Sequence, residues 1–147
     1  MAKQHVLVSP GRYDQVKEIC AFVVQGATEA GLDEKALFHV ELACDEACTN
    51  IIEHAYGGED KGEIRISWEI DHEWFVITIE DDGRSFNPQN VPKPQIPEKD
   101  SADAIIEQLP VGGLGIHFMR KLMDVVEFSF NQQNGNTLLL KKKRKQG

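Results

Sequence analysis

The chain has 147 residues, 41% of them hydrophobic, which suits one domain with a core and leaves little room for a second. Its longest apolar run, Ile19 to Val24, is far short of the roughly 18 residues that cross a bilayer, and the N-terminal Met-Ala-Lys-Gln-His has no apolar stretch of signal-peptide length behind a basic start. A membrane span, a membrane partner and a secretory leader are therefore not expected, the location is read as cytoplasmic, and a formal charge of -8 argues against direct nucleic-acid binding.

In chain order, His5 to Val8 alternate weakly and predict a short first strand, stopped by Ser9-Pro10-Gly11. Val16, Ile19, Cys20, Val23, Val24 and Ala27 recur at helical spacing, predicting an amphipathic helix from Tyr13 to Ala30. A second helix is expected from Asp33, a good N-cap, to about Tyr56, before Gly57-Gly58. On it Leu37, Val40, Cys44, Ala47 and Ile51 make one apolar stripe. At about 100° per residue, Glu46, Asn50 and Glu53 fall on the side away from that stripe. Cys20, Cys44 and Cys48 form no Cys-x-x-Cys pair and read as reduced apolar side chains.

The period then changes to two. Glu63 to Ile70 places Ile64, Ile66, Trp68 and Ile70 on one face, and after a turn at Asp71-His72 the residues Phe75, Ile77 and Ile79 alternate with Trp74, Val76, Thr78 and Glu80. An antiparallel hairpin is expected. Residues 84–111 hold five of the six prolines and read as a long functional loop, with a short helix at Ser101 to Leu109. A helix follows Gly112-Gly113 and runs to about Met123; Val125 to Phe130 and Thr137 to Leu140 are strands joined at Asn134-Gly135, a strong hairpin signal. The tail 141–147, with five basic residues from Lys141 to Lys145, reads as a frayed, solubilising end. No internal repeat is visible. The order predicts a single α+β domain, a two-layer sandwich with helices on one face of a mostly antiparallel sheet.

Three segments could carry chemistry. Glu46 and Asn50, four apart on the second helix, are neighbours on its surface. The carboxylate can serve as a general base and the amide oxygen is a hard ligand suited to Mg²⁺, although such a pair is ordinarily a solvated surface. Asp81-Asp82-Gly83 closes an apolar strand. The bland reading is a turn; the functional one lets Asp81 accept from an exocyclic amine such as that of adenine, with Gly83 allowing close backbone approach. Gly112-Gly113-Leu114-Gly115-Ile116 opens a helix and offers backbone N–H groups to phosphate, or else is only a hinge. It is neither a Walker A loop nor a dinucleotide fingerprint.

In this order the three segments resemble the N, G1 and G2 boxes of the GHKL ATPase superfamily. The finer pattern resembles the bacterial anti-sigma-factor serine kinases over about Val6 to Leu140: Glu-Ala-Cys-Thr-Asn-Ile-Ile-Glu-His-Ala-Tyr, then Asp-Asp-Gly-Arg-Ser-Phe-Asn-Pro, then Gly-Gly-Leu-Gly-Ile-His-Phe-Met-Arg-Lys-Leu-Met-Asp. The resemblance implies a Bergerat-type sandwich that binds ATP with Mg²⁺, phosphorylates a serine of a small antagonist (anti-anti-sigma) protein and holds a sigma factor inactive. It implies Glu46 as general base, Asn50 as Mg²⁺ ligand, Asp81 with Gly83 at the adenine, Thr137 helping to hold the base, and Gly112 to Ile116 around the phosphates. Residues 84–111 would be the ATP lid, with Lys93 or Lys99 as candidate cations. Members are often dimers, and an apolar part of the first helix or strand could serve as the contact.

Two features stay open at this level. Ser85 stands where many superfamily members have a second glycine, and His54 reads equally as a partly buried histidine or as a residue lining the site. The alternative function is a non-catalytic switch that binds ATP or ADP and grips its partner without phosphoryl transfer; Glu46 favours the kinase. A histidine-kinase ATP domain fits less well, because only about 30 residues precede the helix bearing Glu46.

Overall fold

The computed structural model describes residues 4–84, 115–131, 133 and 135–144. The expected helix at 101–109, the residues of the loop beyond Arg84 (Ser85, Lys93 and Lys99 among them) and Gly112 to Leu114 lie outside them. The described elements are β1 (His5–Pro10), α1 (Tyr13–Glu29), α2 (Glu34–Asn50), a π-helical turn (Ile51–Ala55), β2 (Glu63–Ile70), β3 (Trp74–Asp81), α3 (Gly115–Leu122), β4 (Val125–Asn131) and β5 (Gly135–Lys143).

The five strands form one sheet in the order β1-β2-β3-β5-β4, antiparallel at every junction. Strand alternation gives it one apolar face: Ile64, Ile66 and Trp68 of β2, Phe75, Ile77 and Ile79 of β3, and Leu138 and Leu140 of β5 are buried with the inner sides of the helices. This is the α+β arrangement that the pattern predicts. Edge strand β1 turns Leu7 toward the core and leaves Val6 and Val8 exposed. No helix among the described residues is long and apolar enough to cross a membrane.

The Asp33 carboxylate accepts from the Ala36 N–H at 2.9 Å and starts α2. At the other end the helix widens into a π turn, in which the Tyr56 N–H reaches back to the Ile51 carbonyl at 2.9 Å. Single π turns of this kind occur often at functional sites.

Two expectations need correction. Glu46 and Asn50 are not on a solvated side: each is buried, at 4% and 5% exposure. Helix α2 packs against α1 on one flank and α3 on the other as well as the core, so it has a second buried stripe, His39, Ala43, Glu46 and Asn50, at steps of four, three and four. Nor is the basic run a frayed end. β5 continues through Lys143, and burial lowers the pKa of Lys142, whose ammonium bonds the Leu122 carbonyl of α3 and lies 3.4 Å from His39 Nδ1. Arg144 donates from Nε to the Ala30 carbonyl at 2.9 Å and from Nη1 to the carbonyls of Asp71 and His72 at 3.2 Å. Backbone carbonyls at the end of a helix and in a turn need donors, and these cations supply them.

Candidate functional site

Period-two alternation carries β3 from Phe75, Ile77 and Ile79 to Asp81, so the carboxylate takes the next position on the helix-covered face, at the point where the apolar strand ends. It is 1% exposed. The Gly83 N–H and the Asn136 amide both donate to Asp81 Oδ1 at 2.8 Å, and no described residue donates to Oδ2. Burial raises the pKa of Asp81 above the ordinary carboxylate value, against the opposing effect of the bonds from Asn136 and Gly83. Asp82 behaves oppositely. Its exposed carboxylate takes a two-pronged bond from Arg65 at 2.8 and 3.0 Å, which holds its pKa down. Of the two adjacent acids, one is engaged in a surface pair and the other is buried with an oxygen to spare.

The segment 81–84 is clamped onto the end of the second helix. A side chain at Gly83 would bring its Cβ to 2.6 Å from the Ala55 carbonyl oxygen, so the close approach that requires glycine is to the π turn. The Arg84 N–H donates to that same carbonyl at 2.9 Å and Arg84 Nε to the His54 carbonyl at 3.0 Å. Tyr56 adds a third tie: its hydroxyl accepts from the Asp82 N–H at 3.0 Å and donates to the Glu63 carbonyl at 2.5 Å, joining the π turn to both strands of the hairpin.

Asn50 and Glu46 lie five and nine residues before Ala55, about 7 and 13 Å of helical rise. A carboxylate, an amide and a second carboxylate thus follow one another over a distance suited to an elongated ligand. Among the described residues no group hydrogen-bonds the Asn50 side chain, while Glu46 does engage a partner. No cluster of three His, Cys, Asp or Glu side chains among the described residues could hold a metal. A cation here would therefore draw on the Asn50 oxygen and on oxygens of the ligand, the usual way in which Mg²⁺ is held with few protein groups.

Gly115 and Ile116 open α3, and the other three residues of that expected phosphate segment lie outside the described residues. Met119, Leu122 and Met123 bury the inner side of the α3 region, and the Lys142 bond to Leu122 ties the end of α3 close to His39 on the same α2 stripe as Glu46 and Asn50.

One expected site residue is misplaced. In the β3·β5 register Thr137 stands opposite Glu80 and Asn136 opposite Asp81, and partners across a ladder share a face. Thr137 therefore faces away from Asp81 and lines a groove with Arg65, Glu80, Asp82 and Phe130 on the open side of the sheet. Asn136 takes the place expected for it, 2% exposed, its amide also donating to the Arg84 carbonyl at 3.0 Å. Glu53 is exposed and accepts from the Tyr13 hydroxyl at 3.3 Å, outside the site. His54 is partly buried, with Nε2 3.9 Å from the Glu53 carboxylate.

Over residues 9–142 the chain matches the family described as histidine kinase-like ATPase domain. It is similar to the protein named serine-protein kinase RsbW of Listeria monocytogenes serotype 4a, with 32% identity over 106 residues, 72% of this chain and 66% of that one. The protein of the same name from Bacillus velezensis is 31% identical over 105 residues, 71% of this chain and 64% of its own. That from Bacillus cereus is 32% identical over 133 residues, 90% and 80% of the two chains. The chain spans just under two thirds of the length of the Listeria relative.

Proposed function

The chain belongs to the histidine kinase-like ATPase domain family, and from that premise we propose that it is an ATP-dependent serine-protein kinase acting as an anti-sigma factor. Its substrate would be a serine of a small antagonist protein, and its second partner a sigma factor or an analogous regulator. The observation that carries the proposal is Asp81: a buried carboxylate with a spare oxygen, fixed by Asn136 and Gly83 and clamped beside the end of the helix that bears Glu46 and Asn50. A buried charge of this kind is costly unless it meets a donor, and an exocyclic amine is such a donor.

Bound Mg-ATP would supply the phosphoryl group, with the metal neutralising charge on the phosphates. Asp81 Oδ2 accepts from the adenine amine and fixes the base. Asn50 offers its amide oxygen to the metal, and the backbone N–H groups of residues 112–116 hold the phosphates. Glu46 takes the proton from the serine hydroxyl as Oγ bonds to the γ-phosphorus and the bond from that phosphorus to the bridging oxygen breaks, releasing ADP. Burial of Glu46 and Asn50 keeps both side chains from wandering, and phosphoryl transfer asks a protein mainly for positioning and charge neutralisation. If the chain self-associates, the exposed Val6 and Val8 of edge strand β1 offer an apolar contact.

Incubation with γ-labelled ATP and antagonist-type proteins encoded beside this chain tests the reading. Phosphoserine on the antagonist is expected. Nucleotide binding with no label leaving ATP would reduce the protein to a switch that binds without transferring.

A further inference from the structure

Three thiols that take no part in the nucleotide site meet where α1 packs on α2. Cys20 of α1 and Cys44 and Cys48 of α2 are all buried and all reduced. The Cys20 thiol donates to the Glu41 carbonyl at 3.8 Å, and Glu41 lies three residues before Cys44, on the turn that a helical side chain at position 44 leans over. Both sulfurs thus converge on one place between the helices. The Cys44 thiol is hydrogen-bonded to Cys20 and to Cys48, and those contacts together with burial raise its pKa well above the ordinary thiol value.

The cluster is not sealed. A groove of about 570 Å³ follows the junction of α1 and α2, and Cys20 forms part of its wall beside Val16 and Leu42, while Cys44 and Cys48 do not line it. Such a volume is ample for a small molecule to reach the Cys20 sulfur. The carboxylates of Glu41, Asp45 and Glu53 also line the groove, with Lys17, one turn before Cys20, the single cation among the described lining residues. A rim of that sign holds off anions and admits small neutral molecules.

We infer that Cys20 is a site of oxidation by small uncharged hydroperoxides, with Cys44 as the thiol that resolves it to a disulfide. With hydrogen peroxide, the Cys20 sulfur bonds to one peroxide oxygen, the O–O bond breaks, and the other oxygen leaves as water with the thiol proton, so that Cys20 becomes a sulfenic acid. The Cys44 sulfur then bonds to the Cys20 sulfur, the S–O bond breaks, and a second water carries off the Cys44 proton. The two thiols together lose two electrons and the peroxide gains them. Thiolates react with peroxide and thiols do not, so the raised pKa of Cys44 and its place behind Cys20 leave Cys20 to react first. Cys48 is excluded as the partner of Cys44, because Cβ atoms one helical turn apart are about 5–6 Å from each other and a disulfide needs about 3.5–4.5 Å. An S–S bond of about 2.05 Å is shorter than any hydrogen-bonded contact, so its formation draws α1 towards α2 at a point two residues from Glu46.

The test needs no nucleotide. The full folded chain, freed of reductant, is exposed to hydrogen peroxide, then unfolded in an alkylating agent, and its intact mass and its unreduced proteolytic peptides are read by mass spectrometry. The unmodified protein should lose two hydrogens, yield one peptide pair joined through Cys20 and Cys44, keep Cys48 alkylated, and return to three alkylated thiols after dithiothreitol. Cys44→Ala, where folded by thermal melt, should stop at a sulfenic acid on Cys20 that dimedone traps, and folded Cys20→Ala should keep both remaining thiols. Oxidised glutathione, which is anionic, should leave Cys20 unmodified. Three alkylated thiols after peroxide treatment of the unmodified chain, a disulfide that includes Cys48, or a link between two copies of the chain overturns the inference whatever the variants do. A glutathione adduct on Cys20 overturns the assigned class of oxidant.

Discussion

Gly83 lies against Ala55 so closely that a Cβ on residue 83 would sit 2.6 Å from the Ala55 carbonyl oxygen and 2.7 Å from its Cβ. This contact joins the acidic end of β3 to the helix that bears Glu46 and Asn50, two segments that are distant in sequence. Gly83→Ala should force them apart. Since most of the core is remote from the contact, a loss of about 1–3 kcal/mol in stability is expected, together with a much larger loss of nucleotide affinity. Urea unfolding and a binding titration on the same sample check both, and affinity unchanged in the variant would mean that the contact does not shape the site.

Asp81 makes a prediction with two opposite signs. A carboxyl whose pKa is raised on folding contributes stability that is present below its unfolded value, near 4, and is lost as pH rises through the raised value. At neutral pH the buried charge is therefore a cost. Asp81→Asn keeps an oxygen to accept from Gly83 and Asn136 and removes the charge, so the melting temperature should hold or rise, by about 2–4 °C for each kcal/mol relieved. Nucleotide affinity should fall sharply in the same variant. In the unmodified protein, affinity should begin to decline on acidification at a higher pH than an ordinary aspartate would dictate, and thermal melts with binding titrations across pH read both effects.

Tyr56 joins three elements through one hydroxyl, which donates to Glu63 and accepts from Asp82. Tyr56→Phe keeps the ring that packs beside Gly62 but loses both bonds. About 1–3 kcal/mol of destabilisation is expected, with faster hydrogen exchange at the Asp82 amide than at the middle of β3.

Glu46 is the residue on which turnover depends in this account. Glu46→Gln preserves volume and packing at a buried position and removes the base, so ATP binding should stay within about threefold while serine phosphorylation falls by about 10²–10⁴. Phosphotransfer rates under single-turnover conditions separate the two. Loss of binding in parallel with transfer would mark Glu46 as a structural group.

The sequence makes the strands legible because period two survives tertiary packing: β2 coincides with its expected span, and the alternation through Phe75, Ile77 and Ile79 already puts Asp81 on the covered face. The second helix is harder to read. A single-stripe view assumes one buried side, whereas α2 is packed on both flanks, so the burial of Glu46 and Asn50 depends on neighbours that periodicity does not reveal. Asn136 and Thr137 differ by one residue and therefore by a whole sheet face, and only the β3·β5 register decides between them. The lysines of β5 show the same limit, since a charge run looks solvated until the Leu122 carbonyl at the end of α3 claims the Lys142 ammonium.

Calorimetry of ATP binding with and without Mg²⁺, on the unmodified chain and on Asp81→Asn and Asn50→Ala, is the most direct test of joint binding of a magnesium-bound adenine nucleotide by Asp81 and Asn50. Metal-dependent binding to the unmodified chain is expected, weakened at least about 100-fold by Asp81→Asn, with loss of the Mg²⁺ dependence in Asn50→Ala. Equal affinity in all three proteins, or no heat of binding to the unmodified chain, would contradict it.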